Sequence, residues 1–445
     1  MSASGAGGNA PSRAGIATGD ARNTGRDRES PGKEAVGGLL LPLAALLIVS
    51  PILSSCAPDA SGGPPVTFRD SAGVAIAENG LLGPDEATGW AISGEPVLSI
   101  GAVEGAEALQ LYGVSGAHRL ADGRIGLVNG GSREVRFYSP EGEPLASYGR
   151  RGGGPEEFQA PILGGALGDT LIVVDRALHR FAFVHPEGGF VGLNRVSDDV
   201  GGYLNPVGML AGGQIVFGGA FDMRRIGEIH DGRNRAHTFY RSSNPDGSLA
   251  TDFGDQPGAE FFIRSLEEMG RDAQPALLPF GKIPLAAATP THFFFSSQER
   301  WEIQVYAPSG ELVRLIRQEW EPIAVTEEDG ARYVDNVVAE VGDPNQEAAI
   351  REHFSGLPLP EHFPPIGSLL GDLDGNLWIQ DFQRPGAENR AWSIYDTLGA
   401  RVGRLTLPDN FDPWEIGEDY VLGIGWDEMH VEYLRVYRLT RPSQE

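Results

Sequence analysis

Two carboxylates and an amide crowd into Asp372-Leu373-Asp374-Gly375-Asn376, and hard oxygen ligands at that density suit calcium. The glycine falls two places too early for an EF-hand loop, and Gln383 stands where that loop needs its bidentate glutamate. The same residues are turn formers, and between two apolar runs they predict the tight turn of a β-hairpin. His230 and His237, in an arginine-rich stretch, have the side chains to bind a metal or an anion, but histidines so spaced in polar sequence read first as solvated loop residues. No Gly-x-Ser-x-Gly elbow, His-Glu-x-x-His pair, phosphate-binding Gly-x-x-x-x-Gly-Lys loop or dinucleotide glycine fingerprint occurs. Gly152-Gly153-Gly154 runs into Pro155, Glu156 and Glu157, which repel a phosphate. With 35 Lys and Arg against 61 Asp and Glu, the net charge of −26 argues against a nucleic-acid partner.

The one remaining reactive group is the thiol of Cys56, the only cysteine, so neither a disulfide scaffold nor a thiolate-rich metal site can be built. It follows an apolar run from Gly37 to Ile52, which is broken by Pro42 and Pro51 and preceded by Arg26, Arg28 and Lys33. Such a run is short for a membrane span of roughly 20 residues and has the layout of an export signal. Leu53-Ser54-Ser55-Cys56 then matches the bacterial lipobox. Small residues let a signal peptidase close on the backbone, and the thiol accepts the diacylglycerol. Residues 1–55 are thus expected to be a lipoprotein signal peptide with a long polar N-region, 56–65 a flexible tether of small residues and proline, and 66–441 the folded domain. The expected address is the cell envelope, lipid-anchored through Cys56 and facing the periplasm or exterior.

The positioning elements are legible as a repeat. Asp122-Gly123-Arg124-Ile125-Gly126-Leu127-Val128 leads to Glu134 through Tyr138 and then to Leu145 through Gly149, three strands of a meander with turns between them. The unit recurs at Gly168–Val174, Gly213–Phe217, His292–Phe295, Asp374–Ile379 and Tyr420–Ile424. Six copies predict an all-β chain, a six-bladed β-propeller of four-stranded blades. Sequence in excess of the blades falls around 221–237, 255–282 and 321–365. The last predicts a short helical insertion around residues 326–354, with Thr326 as N-cap and Val334, Val337, Val338 and Val341 at helical spacing. Ring closure is expected from a strand within Val66–Ile76 or Pro96–Ile100 paired with the last sheet.

Gly152-Gly153-Gly154-Pro155-Glu156-Glu157-Phe158, Val174-Asp175-Arg176 and His179-Arg180-Phe181 together resemble the NHL-type repeat, and the layout is similar to that of bacterial six-bladed β-propeller lipoproteins. The resemblance implies the fold and not an activity, and it implies a structural use for Asp175 and Arg180. Six-bladed lactonases also resemble this architecture and hold an axial calcium through Glu, Asn and Asp, a constellation not matched here motif by motif. Loop positions after the second strand of each blade, Asn129, Arg133, Asp175, Arg176, Asp381 and Arg384, are the candidate lining of one propeller face. Trp301, Trp320, Trp378, Trp392, Trp414 and Trp426 lie beside strands and predict packing between blades rather than a sugar platform. The reading with most support is a non-catalytic, membrane-anchored scaffold binding a protein, peptide or carbohydrate. The alternative is a calcium-dependent lactonase-like or lyase-like enzyme at the central channel, with Asp372, Asp374 and Asn376 as the metal candidates. Mass spectrometry of the envelope-purified protein is expected to find a diacylglyceryl-modified Cys56 as the N-terminus, and an intact residue 1 in that fraction contradicts the anchor.

Overall fold

The computed structural model describes residues 66–81, 89–221, 227–267, 275–341, 343–384 and 390–442. The export signal, the lipobox, Cys56 and the tether lie outside the described residues. Four short strands come first: β1 (Val66–Ser71), β2 (Val74–Asn79), β3 (Ala91–Ile92) and β4 (Leu98–Ile100). One sheet then holds β5 (Val114–Arg119), β6 (Ile125–Asn129), β7 (Glu134–Tyr138) and β8 (Pro144–Tyr148), and the next holds β9 (Pro161–Leu167), β10 (Thr170–Asp175), β11 (Arg180–His185) and β12 (Gly189–Arg195). A third comprises β13 (Pro206–Leu210), β14 (Gln214–Phe221), β15 (Gly232–Ser243), β16 (Leu249–Ile263) and β17 (Ala276–Leu277). A fourth has β18 (Leu285–Ala288), β19 (Phe293–Ser296), β20 (Glu302–Tyr306) and β21 (Leu312–Gln318), followed by helices α1 (Glu327–Val341) and α2 (Pro344–Phe354). The last two are β22 (Ile366–Gly371), β23 (Leu377–Asp381), β24 (Arg390–Tyr395) and β25 (Arg401–Leu407), then β26 (Phe411–Ile416), β27 (Tyr420–Trp426) and β28 (Glu432–Thr440).

Apart from the added β1 to β4, the strands of each sheet run antiparallel in chain order, and the first strand of each sheet lies against the first strand of the next: β5 on β9, β9 on β13, β13 on β18, β18 on β22, β22 on β26 and β26 back on β5. This is the arrangement of a β-propeller. All six repeat copies read from the sequence fall on second strands, β6, β10, β14, β19, β23 and β27. These read as near-continuous apolar runs because they are covered on both faces, and every residue of β6 is buried. The outer strand β12 instead alternates between covered and exposed side chains, as a half-solvated strand must.

The core is accordingly not one mass but a set of radial layers, each shared by two neighbouring sheets. Val128, Val135 and Phe137 of the first sheet meet Leu171, Val173 and Val184 of the second. Phe181 of the second then stacks on Phe217 of the third, with ring centroids 6.1 Å apart. Trp378 and Trp392 fill the layer between the last two sheets, and Trp301 the layer before it, so these indoles pack sheet against sheet. Each such side chain contributes about 1.5–3 kcal/mol on burial, and the layers together hold the ring.

Closure comes from the later of the two expected segments. Ile100, Ser99 and Leu98 of β4 pair with Leu434, Arg435 and Val436 of β28, and β3 extends the same edge at Leu439 and Thr440. Val66–Ile76 does not join that sheet. There β2 runs parallel to β21 on the outer edge of the fourth sheet, and β1 covers β2. Asn79 ties this addition down: its Nδ2 donates to the carbonyls of Arg317 and Gly399, and its Oδ1 accepts from the Arg401 N–H. Gly399 itself sits at φ +85° with Ala77 and Ile316 where a Cβ would go, so only glycine fits that contact.

Two of the expected insertions are in part strand. Residues 232–243 and 249–263 pair with each other along most of their length, with Arg235 opposite Glu260 and Thr238 opposite Gln256, so they form a long hairpin rather than loops. The helical insertion is present: Thr326 Oγ1 accepts from the Asp329 N–H while Asp329 accepts from the Thr326 N–H, a reciprocal cap. Asp343 caps α2 ahead of Pro344. Replacing Asn79 by Ala leaves three backbone groups, one buried and two part-buried, without this partner, and urea unfolding is expected to lose about 1–3 kcal/mol, whereas Ala at exposed Phe68 on β1 is expected to lose much less.

Candidate functional site

The six first strands have no strand on their axial edge among the described residues, and together they surround a channel of about 500 Å³. Crowding at the axis selects small residues. A Cβ on Gly116 of β5 would stand 2.5 Å from Cβ of Leu163 on β9, and one on Gly208 of β13 would stand 2.9 Å from the backbone of Ala288 on β18. Between such glycines the wall is mostly aliphatic, with Leu163, Val207, Met209 and Leu373 among its side chains. Five of the six first strands also carry a register shift against their second strand. A bulge re-aims the side chains beside it, and two of these shifts, Val114/Ala117 and Pro413/Glu415, flank the titratable groups of the channel wall.

The groups beside those two shifts are His118 on β5 and Glu415 on β26, 297 positions apart in the chain, and Asp372, just after β22, is a third titratable group of the wall. His118 Nδ1 is bonded to Glu415 Oε2 in a short contact. The other carboxylate oxygen accepts the Arg119 N–H at 3.0 Å and the Tyr420 hydroxyl at 2.6 Å. Arg119 lies over the Tyr420 ring, 4.6 Å from its centroid, and pairs with Asp419. Burial pushes the Tyr420 hydroxyl well above its ordinary value, reinforced by the Glu415 charge, so it stays a donor. For His118, burial alone favours the neutral ring, but the hydrogen bond and charge of Glu415 outweigh it and the imidazole keeps its proton above the ordinary value. Nε2 of His118 has no partner among the described residues. An imidazole fixed by a carboxylate on one nitrogen and unpartnered on the other can donate to, or take a proton from, whatever enters the channel.

This pair escaped sequence reasoning because neither residue lies in a motif. The only signal was a titratable side chain in each of two first strands, Val-Ser-Gly-Ala-His-Arg and Phe-Asp-Pro-Trp-Glu-Ile, at the sites of the bulges.

The residues read as a propeller face occur at one end of the sheets but mostly hold the frame. Asn129 is buried, accepting the Tyr112 N–H and donating to Ser132. Asp175, fully buried, accepts four backbone N–H groups, from Gln159, Ala160, Ala177 and Leu178. Arg180 donates to the carbonyls of Gly154 and Glu157, so Asp175 and Arg180 together fold the glycine-rich loop between the first two sheets. Arg133 donates to the carbonyls of Gly130, Gly131 and Gln159. Asp381 pairs with Arg404 at 3.2 Å, and burial pushes its carboxyl upward against the pull of Arg404 and Arg401. Arg384 lies over Phe363 and donates to the Ala324 carbonyl, while Arg176 is exposed.

Asp372, Asp374 and Asn376 form the β22–β23 turn, at the opposite end from that face. Buried Asp372 accepts from the N–H groups of Asp374 and Asn376, the Asn376 amide and the Trp378 indole. Arg441 stands 2.8 Å from Asp374 and 3.6 Å from Asp372. The oxygens are thus engaged by donors rather than converged on one point. His237 is not on a loop: it lies in β15 and pairs with Asp255 at 3.1 Å, while His230 bonds the Asp231 carbonyl. Among the described residues no group of three or more His, Cys, Asp or Glu side chains is placed to hold a metal ion, and no helix is long and apolar enough to cross a membrane.

No family model matches the chain, and no curated protein matches it. Solved structures similar to it include a putative exported protein of Bacteroides fragilis, at TM-score 0.46 and 9% identity over 83% of this chain and 100% of that one. Virginiamycin B lyase of Staphylococcus aureus is similar at TM-score 0.35 and 11% identity, over 79% of this chain and 99% of the lyase. The calcium-binding protein regucalcin of Agrobacterium tumefaciens is similar at TM-score 0.35 and 10% identity, over 76% and 94%. At that distance no chemistry passes from these proteins to this chain.

The His118 and Glu415 pair makes stability depend on pH in a fixed direction. Because the folded imidazole holds its proton more tightly than the unfolded one, its contribution is complete below the ordinary imidazole value, about 6.5, and is lost as pH rises through the raised value. Urea midpoints are therefore expected to fall between about pH 6 and pH 9 further in the native chain than in His118→Gln. Equal falls contradict the pairing.

Proposed function

We propose that the chain is a lipid-anchored, six-bladed β-propeller of the bacterial envelope, NHL-like in its loops, that binds a protein, peptide or carbohydrate ligand without catalysing its conversion. Cys56 is its attachment to the membrane, and the domain from residue 66 faces the periplasm or exterior. The ligand enters the axial channel. The observation that carries this reading is the channel itself: its volume of about 500 Å³ lies in the range of small-ligand sites, and its wall is aliphatic with few polar groups.

Engagement of Asp372 and Asp374 by backbone donors and Arg441 favours binding over the calcium-dependent lactonase-like or lyase-like reading, which asks for oxygens free to converge on an ion. Apart from exposed Arg176, the candidate polar side chains of the opposite face are spent on backbone groups and ion pairs, so they support the loops that a partner would meet rather than forming a pocket of their own.

Leu373, 48% exposed on the channel rim, gives the test a position that tolerates change. With a photoreactive p-benzoylphenylalanine in place of Leu373, irradiation of cells is expected to give a discrete adduct, and the same probe in place of Val191 on the outer strand β12 is expected to give none. Adducts at both positions alike, or at neither, overturn the channel as the ligand site.

A further inference from the structure

We propose that the axial channel is a site for a small amphipathic carboxylate, an apolar body lying along the aliphatic wall with its carboxylate accepting from Nε2–H of His118. This rests on the channel being the ligand site, and adds the chemistry of the ligand. Three features of the wall lead there. The apolar side chains Leu163, Val207, Met209 and Leu373 offer an apolar body contact without hydrogen-bonding demands. Among the titratable side chains of the wall, the atoms of Glu415 and Asp372 are already bonded: Glu415 to His118, Tyr420 and the Arg119 N–H, and Asp372 to its own turn. His118 alone presents an atom without a partner among the described residues. A buried carboxylate at position 415 favours the imidazolium beside it, and an imidazolium has a second N–H to donate.

Every element packed on β5 bears on that charge state. β6 and β9 bring no titratable side chain. β26 brings Glu415, and also Asp412, which is occupied by Arg390. β27 brings Tyr420, with Asp419 just before it, and β5 itself brings Arg119, paired with Asp419. The pair formed by His118 and Glu415 is neutral as a unit, so an incoming anion meets no uncompensated negative charge at the donor. Once His118 loses its proton, Nδ1–H remains committed to Glu415 and Nε2 becomes a lone pair, which repels a carboxylate. The site is therefore open to the anion at low pH and shut at high pH, with the changeover above the ordinary imidazole range.

Calorimetric titration of the full chain with sodium octanoate and with 1-octanol at pH 6 and pH 9 separates the elements of the proposal, octanoate being ionised at both. Octanoate is expected to bind at pH 6 and to weaken about tenfold or more at pH 9, as loss of a charged hydrogen bond implies, while octanol binds alike at both. His118→Gln should bind octanoate about tenfold less tightly at pH 6, with no further loss at pH 9 and no change for octanol. Glu415→Gln keeps acceptors for Tyr420 and Arg119 but removes the charge, and should move the changeover to lower pH. If octanol binds and octanoate shows neither preference nor pH dependence, the His118 anchor is wrong while the channel stands. If neither binds and position 373 gives no adduct, both readings fall. Should a variant fail to fold, the pH profile of the native chain alone still decides.

Discussion

Everything in this molecule depends on a seam of backbone hydrogen bonds between its two ends. The sixth sheet has only three strands from the C-terminal part of the chain, and its outer edge is completed by β4 and β3, some 340 residues earlier. Without that seam the layer of Ile100, Leu111, Leu127, Leu422 and Leu434 between the last and first sheets would face water. The channel would open with it, because His118 belongs to the first sheet and Glu415 to the sixth. The dyad is thus a bond across the closure, and it exists only when the ends have met.

Much of the frame could be read from residues. Short apolar runs mark the second strands, the first three spaced 45 residues apart at Gly123, Gly168 and Gly213, since these strands are covered on both faces and tolerate few polar residues. The helical insertion was legible because Thr326 and Asp329 cap each other locally. Its boundaries were close to the observed Glu327–Val341 and Pro344–Phe354.

What could not be read is what depends on contacts remote in sequence. The choice between two N-terminal segments for the closing strand turns on a parallel pairing of β2 with β21, for which neither segment has a local marker. The long hairpin of β15 and β16 looked like loop because its polar residues pair across strands and leave no apolar alternation. Asn129 looked like lining because loop-end polar residues generally face solvent, but here it accepts a backbone donor in a tight turn, and Asp175 takes the structural use that the NHL resemblance implied rather than the lining position. His118 and Glu415 were invisible for the converse reason: each shares its strand with another charged residue, Arg119 or Asp412, so nothing local singles it out, and only the fold makes the two neighbours.

The outer position of β1 and β2 has a mechanical consequence. Tension reaching the folded domain at Val66 acts on β1, whose antiparallel bonds to β2 would break one after another from the Val66 and Asn79 end. Asn79 then meets the load, through its three bonds to the fourth and fifth sheets. The seam at β4 and β28 lies further along the chain and on another sheet, so the first piece to yield is the outer hairpin. A pull from the N-terminal side therefore loads the β1–β2 addition before it reaches the closing seam.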